Sequence, residues 1–222
     1  MHNNMNDTSF FSLKIRHENC WTNYVPENYR DVLLGYTYNE NSLRAIRFSK
    51  FYNKSDIREI KISIKKDKSV KNVNIYNIDS SSSILYMDVS YENAFIDKLI
   101  KKAIYPLKSS VYNNTENYIF MTEKYRINDI LKIAGNDVYI KNIRELKAEE
   151  VVPEISSYIL DIFLTDKEKF VLKEAIDSKF FNIPRGASNK ELAQRLNISK
   201  MAINVEIRRA VNKIVNKIKE NG

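Results

Sequence analysis

Hydrophobic positions between residues 9 and 146 follow one order of elements twice. The later copy is the clearer. Ile84–Ser90 (ILYMDVS) is strand-like, and Glu92–Ile104 then gathers Phe95, Ile96, Leu99, Ile100, Ala103 and Ile104 on one helical face. Pro106 reads as the stop for that helix. Leu107–Tyr112 and Asn117–Glu123 predict a hairpin around Asn113-Asn114, a pair that tolerates the left-handed backbone of tight turns. Ile127, Ile130, Leu131 and Ala134 mark a second helix ended by Gly135-Asn136, and Val138–Leu146 predicts a closing strand.

The earlier copy runs in the same order. Phe10–Arg16 opens as a strand, Trp21–Tyr29 is a short helix interrupted by Pro26, and Val32–Tyr38 with Leu43–Phe51 forms a hairpin around Asn39-Glu40-Asn41. Ile57, Ile60 and Ile64 have helical spacing while Ile60, Ile62 and Ile64 alternate, and we read this stretch as a helix before the strand Val70–Ile78. Ser80–Ser83 reads as a flexible joint. The β-α-β-β-α-β order is ferredoxin-like. The predicted fold class is therefore α+β, with a ferredoxin-like domain over residues 1–147 (repeats 9–79 and 84–146), weighed against a single larger mixed sheet.

Beyond Leu146 the period becomes helical throughout. A polar stretch, Lys147-Ala148-Glu149-Glu150, precedes Pro153, which suits the first residue of a helix, and Ile155, Tyr158, Ile159, Ile162 and Phe163 form a stripe in need of a partner. We read 148–164 as a linker helix and 165–222 as an all-α domain. That domain opens with a capping box, Thr165-Asp166-Lys167-Glu168, and a helix whose Phe170, Val171, Ala175 and Ile176 should lie beneath the next two. After the bend Phe180–Gly186, a second capping box at Ser188-Asn189-Lys190-Glu191 starts a helix with Leu192, Ala193 and Leu196 on its apolar face. Asn197-Ile198 turns, Ser199 caps, and Ile203, Ile207, Ala210 and Ile214 recur along a final helix over 199–219.

That last row fixes an outward face by arithmetic. At about 100° per residue, Met201, Val205, Arg208 and Asn212 lie opposite the isoleucines, flanked by Asn204 and Arg209. Amide and guanidinium groups beside apolar ones suit base edges and thymine methyls. The base-facing set is Met201, Asn204, Val205 and Arg208; phosphate contacts fall to Ser188, Lys190, Lys200, Arg209 and Lys213. Charge agrees. Between Lys179 and Lys219, ten Lys or Arg against two acids (Glu191 and Glu206) give +8, which equals the formal charge of the whole chain. The expected partner is double-stranded DNA, bound by a homodimer through half-sites about 34 Å apart, with a small-molecule effector possible at the N-terminal domain.

Leu164–Ile214 carries a Leu164-Thr165 start, a Phe181-x-Ile183-Pro184-Arg185 bend, a Glu191-Leu192-Ala193 helix and a Leu196-x-Ile198-Ser199 turn. With these motifs the segment resembles the helix-turn-helix family of archaeal transcription regulators of the bacterioopsin-activator (Bat-like) type. His17-x-x-Cys20-Trp21-Thr22 is similar to a stretch near the N-terminus of these regulators. The recognition helix departs from the family pattern, with Met201, Ala202, Ile203 and Asn204 where small hydroxyl residues are usual. What the resemblance implies is a transcription regulator with a variable N-terminal sensory or assembly domain.

Other chemistries find less support. Four scattered glycines exclude phosphate-cradling glycine loops, and two histidines with one cysteine exclude a zinc finger. His17 and Cys20 have the spacing of two soft-metal ligands, but no other Cys or His completes a shell, so packing of Cys20 and Trp21 is expected, with no metal and no cofactor. Tyr36, Tyr38, Tyr76, Tyr86, Tyr118 and Phe120 raise RNA stacking as the alternative function. Acids such as Asp88, Glu92 and Glu116 specify no catalytic set, and we expect no enzyme. With no apolar run of membrane length and no signal-peptide core, the expectation is a cytoplasmic protein outside the membrane.

Overall fold

A computed structural model describes residues 8–27, 29–51, 54–78, 82–91 and 94–219. The chain divides into two compact units, Met1–Ile155 and Ser156–Gly222.

The first unit is built on one eight-stranded antiparallel sheet. Its strands are β1 (Thr8–His17), β2 (Arg30–Asn39), β3 (Ser42–Lys50), β4 (Val70–Asn77), β5 (Ser82–Ser90), β6 (Tyr105–Tyr112), β7 (Thr115–Glu123) and β8 (Val138–Leu146). The order across the sheet is β4-β5-β3-β2-β6-β7-β1-β8. Two self-contained repeats are therefore not what forms. Each half of the sheet holds three strands of one repeat and the opening strand of the other: β5 lies between β4 and β3, and β1 between β7 and β8. Alternation along a strand says which side chains are buried and nothing about which strand lies alongside, and here the opening strands are exchanged.

Helices α1 (Lys54–Ile64), α2 (Phe95–Lys101) and α3 (Ile127–Ala134) serve this sheet. The ambiguous isoleucine stretch is helical, with Ile60 and Ile64 buried and Ile62 exposed, as a period near four requires. Around α1, one core combines Trp21, Tyr29, Ile60, Ile64, Leu85 and Met87. Around α2 and α3, a second combines Phe11, Leu13, Ile15, Leu99, Phe120 and Ile130. Tyr29, Asp31, Arg47 and Ser49 form a buried hydrogen-bonded group, with Arg47 Nε and Nη2 donating to Asp31 Oδ2 and Oδ1 at 2.8 and 2.6 Å.

Several expected boundaries move. The helix expected over Trp21–Tyr29 is only a 3-10 turn, Trp21–Asn23, because Pro26 follows too soon for a full helix. The helix before Pro106 ends at Lys101, with Ala103 in the left-handed region, and Pro106 sits inside β6. It is tolerated there because β6 pairs with β2 only through Ser110–Tyr112, leaving the strand side at Pro106 outside that ladder. Ser82 and Ser83 belong to β5, whereas Ser80, Ser81 and Glu92 lie outside the described residues. The Asn113-Asn114 turn has φ of 49° and 51°, as its residue types suggested.

Helix α4 (Ala148–Phe163) starts five residues before the proline expected to begin it. Its start is set by Glu150, whose Oε2 accepts from the Lys147 backbone N–H at 2.8 Å while Oε1 accepts from Arg144 at 2.5 Å. Val151 and Ile155 pack with Phe10, Ile119 and Leu146 in the first unit. The side chains of Tyr158, Ile159 and Ile162, part of the expected stripe, lie outside the described residues. Among the described residues no helix is long and apolar enough to cross a membrane.

Candidate nucleic-acid interface

The second unit carries α5 (Asp166–Asp177), α6 (Asn189–Leu196) and α7 (Lys200–Lys219). Both capping boxes form. Thr165 Oγ1 accepts from the Glu168 N–H at 3.2 Å and Glu168 Oε2 accepts from the Thr165 N–H at 2.8 Å; Ser188 and Glu191 repeat the exchange at 3.3 and 2.6 Å. Asn197 closes α6 with φ 52°, and Ser199 Oγ caps α7 by accepting from the Ala202 N–H at 3.1 Å.

Between α5 and α6 the bend is held tightly. Lys179 turns the chain at φ 57°, and the Gly186 N–H donates to the Lys179 carbonyl at 2.9 Å. A Cβ on Gly186 would stand 2.7 Å from both Lys179 Cβ and the Ser178 carbonyl oxygen, so the position admits only glycine without a backbone shift. Arg185 lies over the buried Phe180 ring, 5.1 Å from its centroid.

The isoleucine row is buried. Ile203 and Ile207 pack with Val171, Ala175, Phe180 and Leu192, with Ile198 against the same cluster as a plug between helices. Ala210 and Ile214 continue the row against Leu160, Leu164 and Leu172. On α5 the expectation is met by Val171 and Ala175 but not by Phe170 and Ile176, which are exposed; Leu172 takes their place because α7 packs on that flank. The opposite side of α7 faces water: Met201 is 77% exposed, Val205 37%, and Asn204, Arg208, Arg209 and Asn212 are exposed. Residues 164–216 match the family of HTH DNA-binding domains. No curated protein matches the chain.

The match covers the HTH domain and supports the resemblance drawn from Leu164–Ile214. Within the HTH domain, Asn189 Nδ2 at the start of α6 donates to Asn204 Oδ1 on α7 at 2.8 Å, so the N-terminus of α6 and the outward face of α7 are tied together. Ser188, Lys190 and Lys200 are exposed, the first two at that helix N-terminus, where the backbone dipole favours an anion.

Two basic residues have internal work. Lys213 Nζ lies 2.7 Å from Oε2 of buried Glu168, joining α7 to α5, and Arg209 stands 4.0 Å from buried Glu206, which also pairs with Lys167 at 3.0 Å. Burial alone would raise the Glu168 carboxyl; Lys213 and the Thr165 hydrogen bonds outweigh it and hold it below the ordinary range. Sequence reasoning missed Glu206 as an inward carboxylate, although it follows Ile203 by three positions and precedes Ala210 by four. The Asn189–Asn204 bond and the Lys213–Glu168 pair leave no one-dimensional trace.

In the first unit, Tyr118 and Phe120 are buried, while Tyr36, Tyr38 and Tyr76 are exposed. Asp88 pairs with Arg44 at 3.1 Å and Glu116 accepts from the Tyr118 hydroxyl at 2.5 Å. Cys20 is buried, and burial with the nearby Glu116 carboxylate pushes its thiol well above the ordinary range, which is the opposite of an oxidant-reactive thiolate.

Proposed function

We propose that the chain is a sequence-specific transcription regulator of the archaeal bacterioopsin-activator type, cytoplasmic, with α7 inserted in the major groove of double-stranded DNA. The observation that carries this is the buried Ile203, Ile207 and Ala210 row, which leaves Met201, Asn204, Val205 and Arg208 on the opposite, exposed side of one helix. Those four read base edges: Arg208 suits a guanine, Asn204 an adenine, and Met201 and Val205 thymine methyls. Ser188, Lys190 and Lys200 hold phosphates, joined by Arg209, while Lys213 serves Glu168 first. The protein acts as a homodimer on half-sites one duplex turn, about 34 Å, apart, and the N-terminal unit is its sensory or assembly module. No catalysis is proposed.

Selection from a randomised duplex library at about 0.1 to 0.2 M salt tests this directly. The expected result is an enriched motif with two-fold symmetry, with single-stranded DNA and RNA of the same sequence bound more weakly. Retention of all duplexes alike, or preference for RNA, would overturn it.

A further inference from the structure

Three polar side chains converge where the chain leaves β1. In β1, Phe11, Leu13, Ile15 and His17 point to the buried face; in β7, Phe120, Tyr118 and Glu116 oppose the first three, with Phe11 across from Phe120, Leu13 from Tyr118 and Ile15 from Glu116. The apolar rows thus end in a histidine and a carboxylate, and Cys20 arrives from the following turn. His17, Cys20 and Glu116 are 3%, 5% and 7% exposed, and their donor atoms all lie within 4.8 Å of one another. His17 Nδ1 and Glu116 Oε1 are buried without a hydrogen-bond partner. Leaving such groups unpaired in the interior is costly, and more so when they are charged. A cavity of about 40 Å³, lined in part by Cys20, Glu116, Arg47 and Tyr118, adjoins the cluster.

We propose that His17, Cys20 and Glu116 bind a divalent transition-metal ion of the zinc class, with water from the adjoining cavity as the fourth ligand. One nitrogen, one thiolate sulfur and one carboxylate oxygen are a borderline-soft set with three protein ligands, as tetrahedral zinc accepts. Bond lengths of about 2.0–2.3 Å would bring the donors to roughly 3.3–3.6 Å from one another, a contraction of about 1.5 Å at most from separations that lie within 4.8 Å. The ion displaces the thiol proton to solvent, and thiolate plus carboxylate then cancel its two positive charges, which makes burial tolerable. Counting only cysteines and histidines hides this site, because the third donor comes from β7. Its position is structural as well as chemical. The chain passes here from β1, in one half of the sheet, to β2, in the other, so the ion would clamp the exchanged strand. The site stands independently of DNA reading.

Cobalt titration of the metal-stripped full-length protein tests it. Because Cys20 is the only cysteine, any thiolate-to-cobalt charge-transfer absorption must come from it. One equivalent should give that band, zinc should displace it, and zinc should raise the melting temperature of the stripped protein. Glu116→Gln should weaken cobalt binding by at least about tenfold, and Cys20→Ser should abolish the band. Absence of a charge-transfer band in the wild type would overturn the proposal whether or not the variants fold, and so would an unchanged affinity in a folded Glu116→Gln protein.

Discussion

Single residues on α7 divide by what lies behind them. Arg208 projects into water with the buried row at its back, and its guanidinium is available for a bidentate contact to guanine. Arg208→Ala should therefore cost about 1–3 kcal/mol of binding and relax preference at one base pair. Lys190, exposed at the N-terminus of α6, should act differently: Lys190→Ala should weaken every duplex alike and lower the salt slope by about one. Fluorescence anisotropy with specific and scrambled duplexes over a salt series separates the two, and unchanged discrimination in Arg208→Ala would place the reading face elsewhere. The outward face was legible from spacing alone. That Lys213 spends its charge on Glu168 was not, since the two meet only after α5 and α7 pack.

Three helix starts share one device, a carboxylate three residues inside the helix that bonds back to the backbone. Glu150, Glu168 and Glu191 serve α4, α5 and α6, and all three carboxyls are held below their ordinary value. For Glu150 and Glu191 the largest cause is the backbone N–H of Lys147 and Ser188 respectively. The direction sets the sign: a carboxyl depressed in the folded state stabilises above its unfolded value and stops doing so as pH falls through the folded one. Glu168→Gln should thus lower the melting temperature at pH 7, and the gap from wild type should narrow below the ordinary value of 4.5. Thermal melts at pH 7 and pH 3 decide this, and an equal gap at both would refute it. The boxes at Thr165 and Ser188 were written in the sequence. The Lys147 start was hidden because lysine is not a capping residue, and only its backbone N–H takes part.

At the scale of the whole molecule, the exchanged strands make the two halves of the sheet depend on each other. Chains 1–79 and 80–222 divide the repeats where the sequence pattern does, yet each lacks the opening strand that its own half of the sheet needs. Expressed apart, neither should give a cooperatively melting sheet, because β7 and β8 would lose β1 between them and β4 and β3 would lose β5. Co-expressed, they should assemble as a complex. Circular dichroism melts and size measurement check both, and an independently folded, cooperatively melting sheet in chain 1–79 would contradict the exchange.

Local physics was enough for much of this protein. Period and capping chemistry gave most of the elements, the Asn113-Asn114 turn, the buried isoleucine row and the exposed face of α7, because each depends on residues within about four positions of one another. Tertiary structure alone decided which strands are neighbours, which lysine has a buried partner, and that Glu116 joins His17 and Cys20. Those outcomes depend on chain segments far apart in sequence meeting in space. The backbone ladder that joins strands is chemically the same for any pair, so alternation could group Tyr118 with Phe120 on one face but could not say that Glu116, one residue before the expected strand, would meet His17 and Cys20.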